Sequence, residues 1–190
     1  MGYSNKSGVV SLCKQKGNDM SKAGLKKAFR SMTRDEIAEM VLELYDARRE
    51  AKDYLDYWLA PDPDRALDEA KASAEKMFFY STGKPRSQPA AADLKRLVKN
   101  FSTLVFDSDK IADLLMYIAE RQYIWVTQKR SGFLQAEVAV RRAYDNARVY
   151  IEGAALEDLY GLRLERLAES IDDFFRDPPR PQRRSRRWHW

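Results

Sequence analysis

Apolar residues recur three or four positions apart along most of this sequence, which is the spacing of one face of an α-helix. In the segment 63–80 the pattern places these residues on one face: Ala66, Leu67, Ala70, Ala74, Met77 and Phe78. No stretch alternates strictly between apolar and polar residues, so no strand is predicted. The sequence therefore predicts an all-α protein of six to seven helices in antiparallel hairpins, forming either a helical bundle or a short α-α repeat-like array.

Capping signals set the expected helix limits in the first half. A short basic amphipathic helix follows Met20 in "SKAGLKKAFRSM". Thr33 and Glu36 have the spacing of a capping box, and we predict one long helix from there to about Leu59. Asp62 followed by Pro63 is typical of the start of the next helix. The Gly- and Pro-containing stretch 81–89, "STGKPRSQP", is predicted to be a loop.

The second half predicts four further helices. The first of them begins near Pro89, and the second follows the turn "DSD" at 107–109. The third ends at Gly153, and the last stops before "DPPRP" at 177–181. Their predicted inward faces include Leu97, Phe101, Ile111, Leu114, Phe133, Val140, Ile151, Leu159, Tyr160, Leu167 and Ile171.

Charge divides the chain into an acidic body and two basic ends. Residues 1–34 contain eight Lys or Arg and one acid, and residues 176–190 contain six Arg and one acid. With a whole-chain charge of +5, this leaves −7 for residues 35–175. We therefore predict a disordered extension at 1–19, a single helical domain at 20–176 with possible halves 20–80 and 89–176, and a disordered Arg/Trp tail at 177–190.

The composition restricts the class of protein and the chemistry that it can perform. The chain has 190 residues, enough for one core, and no apolar run long enough to span a bilayer. The single cysteine, Cys13, and the single histidine, His189, lie near the chain ends, where neither suits a preorganised catalytic site. No phosphate-binding glycine motif, cofactor motif or set of Cys/His metal ligands occurs. We predict a cytoplasmic protein with no membrane contact and assign no catalytic residue and no metal ligand.

One set of residues has a distinctive spacing on the predicted long helix. Six carboxylates recur at intervals of three and four residues: Glu36, Glu39, Glu43, Asp46, Glu50 and Asp53. On a continuous helix they fall within an arc of about 100°. Such a row is most often a solvated face. It could instead bind a basic element: the Lys22–Arg34 segment, the arginine tail, or a partner protein.

The same row also permits a divalent-metal site. Glu36/Glu39 and Glu43/Asp46 have the E-x-x-E and E-x-x-D spacing by which helices bind Mg²⁺ in all-α nucleotide pyrophosphohydrolases, and carboxylate oxygens suit that ion. Such a site needs acids from a second helix. Asp109 with Asp113, or Asp172 with Asp173, are the candidates.

The tail offers a different interaction. Arginines beside tryptophans can hold phosphates and stack on bases, so Arg183, Arg184, Arg186 and Arg187 are candidate nucleic-acid contacts, although a proline-broken terminus is most often disordered. Aromatic residues also crowd the end of the first predicted hairpin, where core packing and partner binding are both open interpretations.

Three stretches resemble a bacterial family known only as a domain of unknown function: "SKAGLKKAF", "LELYDARREAKDYLDYWLAPD" and "KIADLLMYIAE". The resemblance spans about residues 21–175 and implies an all-helical, cytoplasmic protein. It implies no activity or site residues. The leading hypothesis is therefore a non-enzymatic macromolecular interaction module that binds an unknown protein or a second copy. The alternatives are a nucleic-acid-associated protein that uses the basic termini weakly, and a Mg²⁺-dependent all-α nucleotide hydrolase.

Overall fold

The computed structural model describes residues 21–130 and 134–177 of the chain. Those residues form helices and no β-strand, apart from one isolated bridge between Phe79 and Pro85. The helices are α1 (Lys22–Phe29), α2 (Arg34–Ala47), α3 (Arg49–Leu59), α4 (Pro63–Phe78), α5 (Ala91–Leu104), α6 (Ser108–Lys129), α7 (Leu134–Gly153) and α8 (Glu157–Arg176). The all-α prediction is confirmed. The N-terminal extension, Phe133 and the arginine tail lie outside the described residues.

The helix count differs from the prediction because the expected long helix is interrupted. Arg48 leaves the helical conformation with φ −137° and ψ 116°, which ends α2. Its carbonyl then accepts hydrogen bonds from the amides of Ala51 and Lys52, which begins α3. The described part of the chain therefore has eight helices instead of six to seven. The acidic row is also no longer continuous, because Glu50 and Asp53 lie on α3.

The capping signals are confirmed at two helix starts. The Thr33 hydroxyl accepts from the Glu36 amide at 3.2 Å, while the Glu36 carboxylate accepts from the Thr33 amide at 2.7 Å. The Asp62 carboxylate accepts from the Arg65 amide at 3.0 Å, and Pro63 occupies the first helical position. Each interaction satisfies an amide that the helix itself leaves without an acceptor.

The chain separates into two compact units, one reaching to Leu55 and one beginning at Asp56. In the second unit α6 is central, since it packs against α4, α5, α7 and α8. This differs from a linear repeat array, in which each element contacts only its neighbours in sequence. In the first unit, α1 and α2 contain no buried residue.

Many residues of the predicted apolar faces are buried in the core of the second unit or packed against it. On α6 the core also includes Ala112, Met116, Ala119 and Val126, outside the predicted face, because four other helices pack against this one. The fully or almost fully buried residues include Ala74, Phe78, Ala112, Leu114, Met116, Ala119, Val126, Val140, Ala147 and Ile151. Leu159 is an exception. It was expected inside, but it is 68% exposed because the inward face of α8 is set by Tyr160, Leu164, Leu167 and Ile171.

The 81–89 segment is a loop, as predicted, and it is tied to the core. The Tyr80 amide donates to the Lys84 carbonyl at 2.9 Å, and Gly83 takes the positive φ of 73° that the turn between them requires. The Trp125 indole on α6 donates to the Arg86 carbonyl at 2.9 Å. These bonds fix the loop against the end of α4 and against α6.

Candidate interaction surfaces

The acidic residues of α2 are exposed and mostly lack ionic partners. The helix carries five acids and one arginine. Glu36 is engaged in the capping box, and hydrogen bonds from the Thr33 amide and hydroxyl lower its pKa. Among the described residues, no lysine or arginine lies within ion-pairing distance of Glu39, Glu43 or Asp46. Like charges one turn apart repel each other by a few tenths of a kcal/mol per pair.

The two remaining members of the row are placed differently. Glu50 and Asp53 belong to α3, and Asp53 lies 3.8 Å from the guanidinium of Arg49 on the same helix. Because both side chains of that pair are largely exposed, the contact contributes little to stability. In the part of the chain that the structure describes, the predicted row therefore reduces to an α2 segment without an ion pair and an α3 segment with one.

The apolar side of α2 is only partly covered. Ile37, Met40 and Val41 are half-buried, whereas Leu44 is 50% exposed and Leu42, elsewhere on the helix, is 63% exposed. Helix α1 has the same character with the opposite charge. It carries three lysines and no acid, and Leu25 on its apolar side is exposed.

A second polar arrangement, which the sequence interpretation missed, lies along a half-buried side of α6 in the second unit. Asp113, Tyr117 and Glu120 lie on one face of α6, at helical spacing, and contact α4 and α8. Asp113 accepts from the ammonium of Lys71 at 2.6 Å and from the guanidinium of Arg163 at 2.9 Å. We call these residues, with Glu75, the α6 polar row: Lys71, Glu75, Asp113, Tyr117, Glu120 and Arg163.

Electrostatics favour the charged forms in this row. Burial raises the pKa of Asp113, but hydrogen bonds from Lys71 and Arg163 outweigh burial and leave its pKa below the ordinary value. The hydrogen bond to Glu120, together with that to Asp113, raises the pKa of Arg163. Asp113 and Arg163 are therefore both charged at neutral pH, and their contact links α6 to α8.

Two tyrosines extend this arrangement. The Tyr117 hydroxyl donates to Glu75 at 2.9 Å, and the Arg121 guanidinium lies over its ring at 4.8 Å from the centroid. The Tyr160 hydroxyl donates to the Asp109 carboxylate at 2.7 Å. Burial, followed by that hydrogen bond, raises the pKa of Tyr160. Both tyrosines therefore remain neutral donors.

The acids proposed as second metal ligands are all engaged with protein groups. Asp109 accepts from Tyr160, and Asp113 is paired with Lys71 and Arg163. Asp172 accepts from Arg141 at 2.8 Å, and Asp173 lies 3.1 Å from Arg176. Within residues 21–130 and 134–177, no three His, Cys, Asp or Glu side chains are gathered so that they could hold a metal ion.

A shallow groove of about 500 Å³ lies beside α6 and α8. Its lining combines leucines with charged and hydroxyl side chains: Glu120, Tyr123, Leu159, Leu162, Arg163, Arg166, Leu167 and Ser170. Arg163 is already held by Glu120 and Asp113, so the cation that this groove offers to a ligand is Arg166.

The aromatic residues near the first hairpin divide into two groups. Phe78 and Phe79 are buried and Tyr57 packs against the core, while Tyr54, Trp58 and Tyr80 are exposed. Trp125 is buried, and Tyr123 and Tyr150 are half-buried against the core. Core packing accounts for most of them.

No helix in the described part of the chain is both long and apolar enough to cross a lipid bilayer. The candidate nucleic-acid residues Arg183, Arg184, Arg186 and Arg187 lie outside the described residues, so they stay a prediction.

Comparison with known proteins identifies a family and nothing more specific. Neither a curated protein nor a solved structure matches the chain. A family model does match, over residues 20–172, and its description is a family of unknown function (DUF6155). The resemblance to an uncharacterised helical family is thereby confirmed, and the match ends close to the limits of the described helices. The chain belongs to the family of unknown function DUF6155.

Proposed function

We propose that this chain is a non-enzymatic helical interaction protein that binds another macromolecule through the outer faces of α1 and α2. One observation carries the proposal. Helix α2 combines an apolar stripe with carboxylates that have no ionic partner in residues 21–130 and 134–177, yet none of its residues is buried. A cytoplasmic location and a bacterial source accompany the proposal as predictions from the sequence.

The stability of short helices supports this proposal. Helix α2 has 14 residues and α1 has eight. Isolated helices shorter than about 12–15 residues are marginal in water, and helices in proteins gain most of their stability from packing an amphipathic face. A partner that covers Leu44 and its neighbours would supply that packing, at roughly 25 cal/mol per Å² of apolar surface removed from water.

The charge of α2 indicates what kind of partner fits. Glu39, Glu43 and Asp46 follow one another at intervals of four and three residues, and no cation among the described residues neutralises them. A partner with basic side chains beside apolar ones would relieve their repulsion and cover the stripe at once. An anionic partner such as nucleic acid would be repelled by this face.

Site-specific photo-cross-linking in the cells that naturally produce the protein tests the proposal. A photoreactive amino acid at Leu44, which is 50% exposed on the apolar stripe of α2, should give cross-linked species. The same group at Lys95, which is exposed on α5, should give far fewer. Equal yields at both positions, or no product at Leu44, would contradict an interaction through this face.

A further inference from the structure

Helices α1 and α2 have complementary surfaces. Helix α1 carries Lys22, Lys26 and Lys27 and no acid. Helix α2 carries five acids and a single arginine. Both helices have apolar residues on one side. Their charges are opposite, and their apolar sides are alike.

The arrangement around each helix axis makes this complementarity usable. At about 100° per residue, Lys22 and Lys26 border the stripe formed by Leu25 and Phe29 along one side. On α2, Glu36 and Glu43 border the stripe that contains Ile37, Met40 and Leu44 in the same way. Two such helices laid side by side would pair their apolar stripes and bring lysines to carboxylates.

Within the described residues of a single copy, α1 and α2 do not pair in this way. No lysine of α1 forms an ion pair with an acid of α2 in residues 21–130, and neither helix buries a residue. The two helices are joined only through Arg30–Thr33, where the capping box holds Thr33 in an extended conformation. Among the described residues, the complementary surfaces are therefore both left unpaired.

We infer that α1 of one copy docks on α2 of a second copy, and that the reverse contact forms at the same time. The inference rests on the proposed function, and the partner that it assigns to the interaction surface is a second copy of the chain. Reciprocal contacts of this kind close around a two-fold axis, so the product is a dimer and not an open chain. The apolar stripes provide attraction, and the lysine–carboxylate contacts set which helix meets which.

Charge reversal on the full-length protein tests the inference by sedimentation equilibrium. Wild type should be dimeric, with a dissociation constant that rises at least tenfold between about 50 and 500 mM NaCl because exposed charges are screened. The variants K22E/K26E and E39K/E43K should each be monomeric in the same concentration range. An equimolar mixture of the two should recover a dimer with one copy of each, since both of its helix contacts join opposite charges.

Matched reversals elsewhere serve as controls. K95E/K99E on α5 and E165K/E169K on α8 change exposed residues with the same i,i+4 spacing, and none of the four forms an ion pair among the described residues. Both should dimerise as wild type does. Far-UV circular dichroism should show equal helix content in all variants. If a charge reversal lowers the helix content, the variants K22Q/K26Q and E39Q/E43Q are used in place of the two reversed variants. Each should weaken the dimer, and mixing them should restore it only in part, because the mixed dimer regains one of its two lysine–carboxylate contacts.

A monomeric wild type, or a mixture of the two reversed variants that stays monomeric, would overturn the second-copy inference. That failure is distinguishable from failure of the proposed function. If a photoreactive group at Leu44 cross-links to a different macromolecule while the purified protein is monomeric, the interaction surface stands and only the identity of its partner is wrong.

Discussion

The guanidinium of Arg163 on α8 donates two hydrogen bonds to the carboxylate of Glu120 on α6, at 2.6 and 2.8 Å. The same guanidinium donates a third, at 2.9 Å, to Asp113, which lies about two turns earlier on α6. Planar two-point contact is specific to arginine, because lysine presents a single point charge. This residue therefore fixes α8 against α6 in position as well as in charge.

Replacing Arg163 should destabilise the second unit. We expect R163A to lower the free energy of unfolding by about 1–2 kcal/mol, a value reduced from that of a buried pair because the side chain is partly exposed. R163K should recover part of the loss. R166A changes a neighbouring exposed arginine without an ion pair among the described residues, and it should shift stability by less than about 0.5 kcal/mol. Urea unfolding monitored by circular dichroism measures all three, and equal losses for R163A and R166A would contradict the assignment.

The stability that Asp113 provides should depend on pH. Its pKa in the folded protein lies below the ordinary value of 3.8, so its contribution is present above that value and is lost as the pH falls through the folded pKa. D113N should therefore be less stable than wild type at pH 7, and the difference should shrink below about pH 3.8. Unfolding curves at several pH values test this, with D68N on the exposed side of α4 as the control. A difference that stays constant down to pH 2.5 would argue against an ionic role.

Burial of the central helix should dominate the mutational cost of apolar truncation. Leu114 on α6 is completely buried, whereas Leu159 on α8 is 68% exposed. L114A should cost about 2–5 kcal/mol of stability, and L159A less than about 0.5 kcal/mol. Thermal unfolding distinguishes them easily. A large loss for L159A would mean that this leucine is covered in the protein's native assembly.

The turn after α7 contains a strained residue. Ala155 has a φ of +54°, a conformation that glycine adopts without a steric penalty. A155G should raise stability by about 0.5 kcal/mol, because relief of the strain exceeds the entropy that glycine adds to the unfolded chain. A154G, at a position with negative φ, should lower it. Differential scanning calorimetry measures both, and a decrease for A155G would contradict the strain.

The nucleic-acid alternative predicts binding by the C-terminal arginines. Fluorescence anisotropy with a single-stranded oligonucleotide should then show affinity that falls steeply between about 50 and 200 mM salt. Changing Arg183, Arg184, Arg186 and Arg187 together to glutamine should abolish it. Binding that is undetectable in the wild type, or insensitive to salt, would remove the alternative.

Local sequence information was sufficient for most helix limits. The Thr33 and Glu36 cap and the Asp62–Pro63 start involve residues within three positions of each other, so their energetics are readable without the fold. It failed at Arg48, where the chain breaks with neither glycine nor proline nearby. No local rule marks that residue, and the break separates Asp46 from Glu50, which a continuous helix would have placed one turn apart.

The apolar period likewise determined which faces are inside, because burial of one stripe is the main way that these helices gain stability. It could not determine how far each stripe is covered. On α8 it grouped Leu159 with Tyr160, Leu167 and Ile171, yet the packing of α8 against α7 and α6 buries the last three and leaves Leu159 in solvent.

The sequence by itself thus determined the helical class, the principal caps and the inward faces, since each depends on residues within a few turns of one another. Only the tertiary structure decided that Lys71, Asp113, Glu120 and Arg163 meet, because Asp113 lies 42 and 50 residues from its two partners along the chain. Contacts at such separations depend on how α4, α6 and α8 pack together, and no local pattern of charges encodes that geometry.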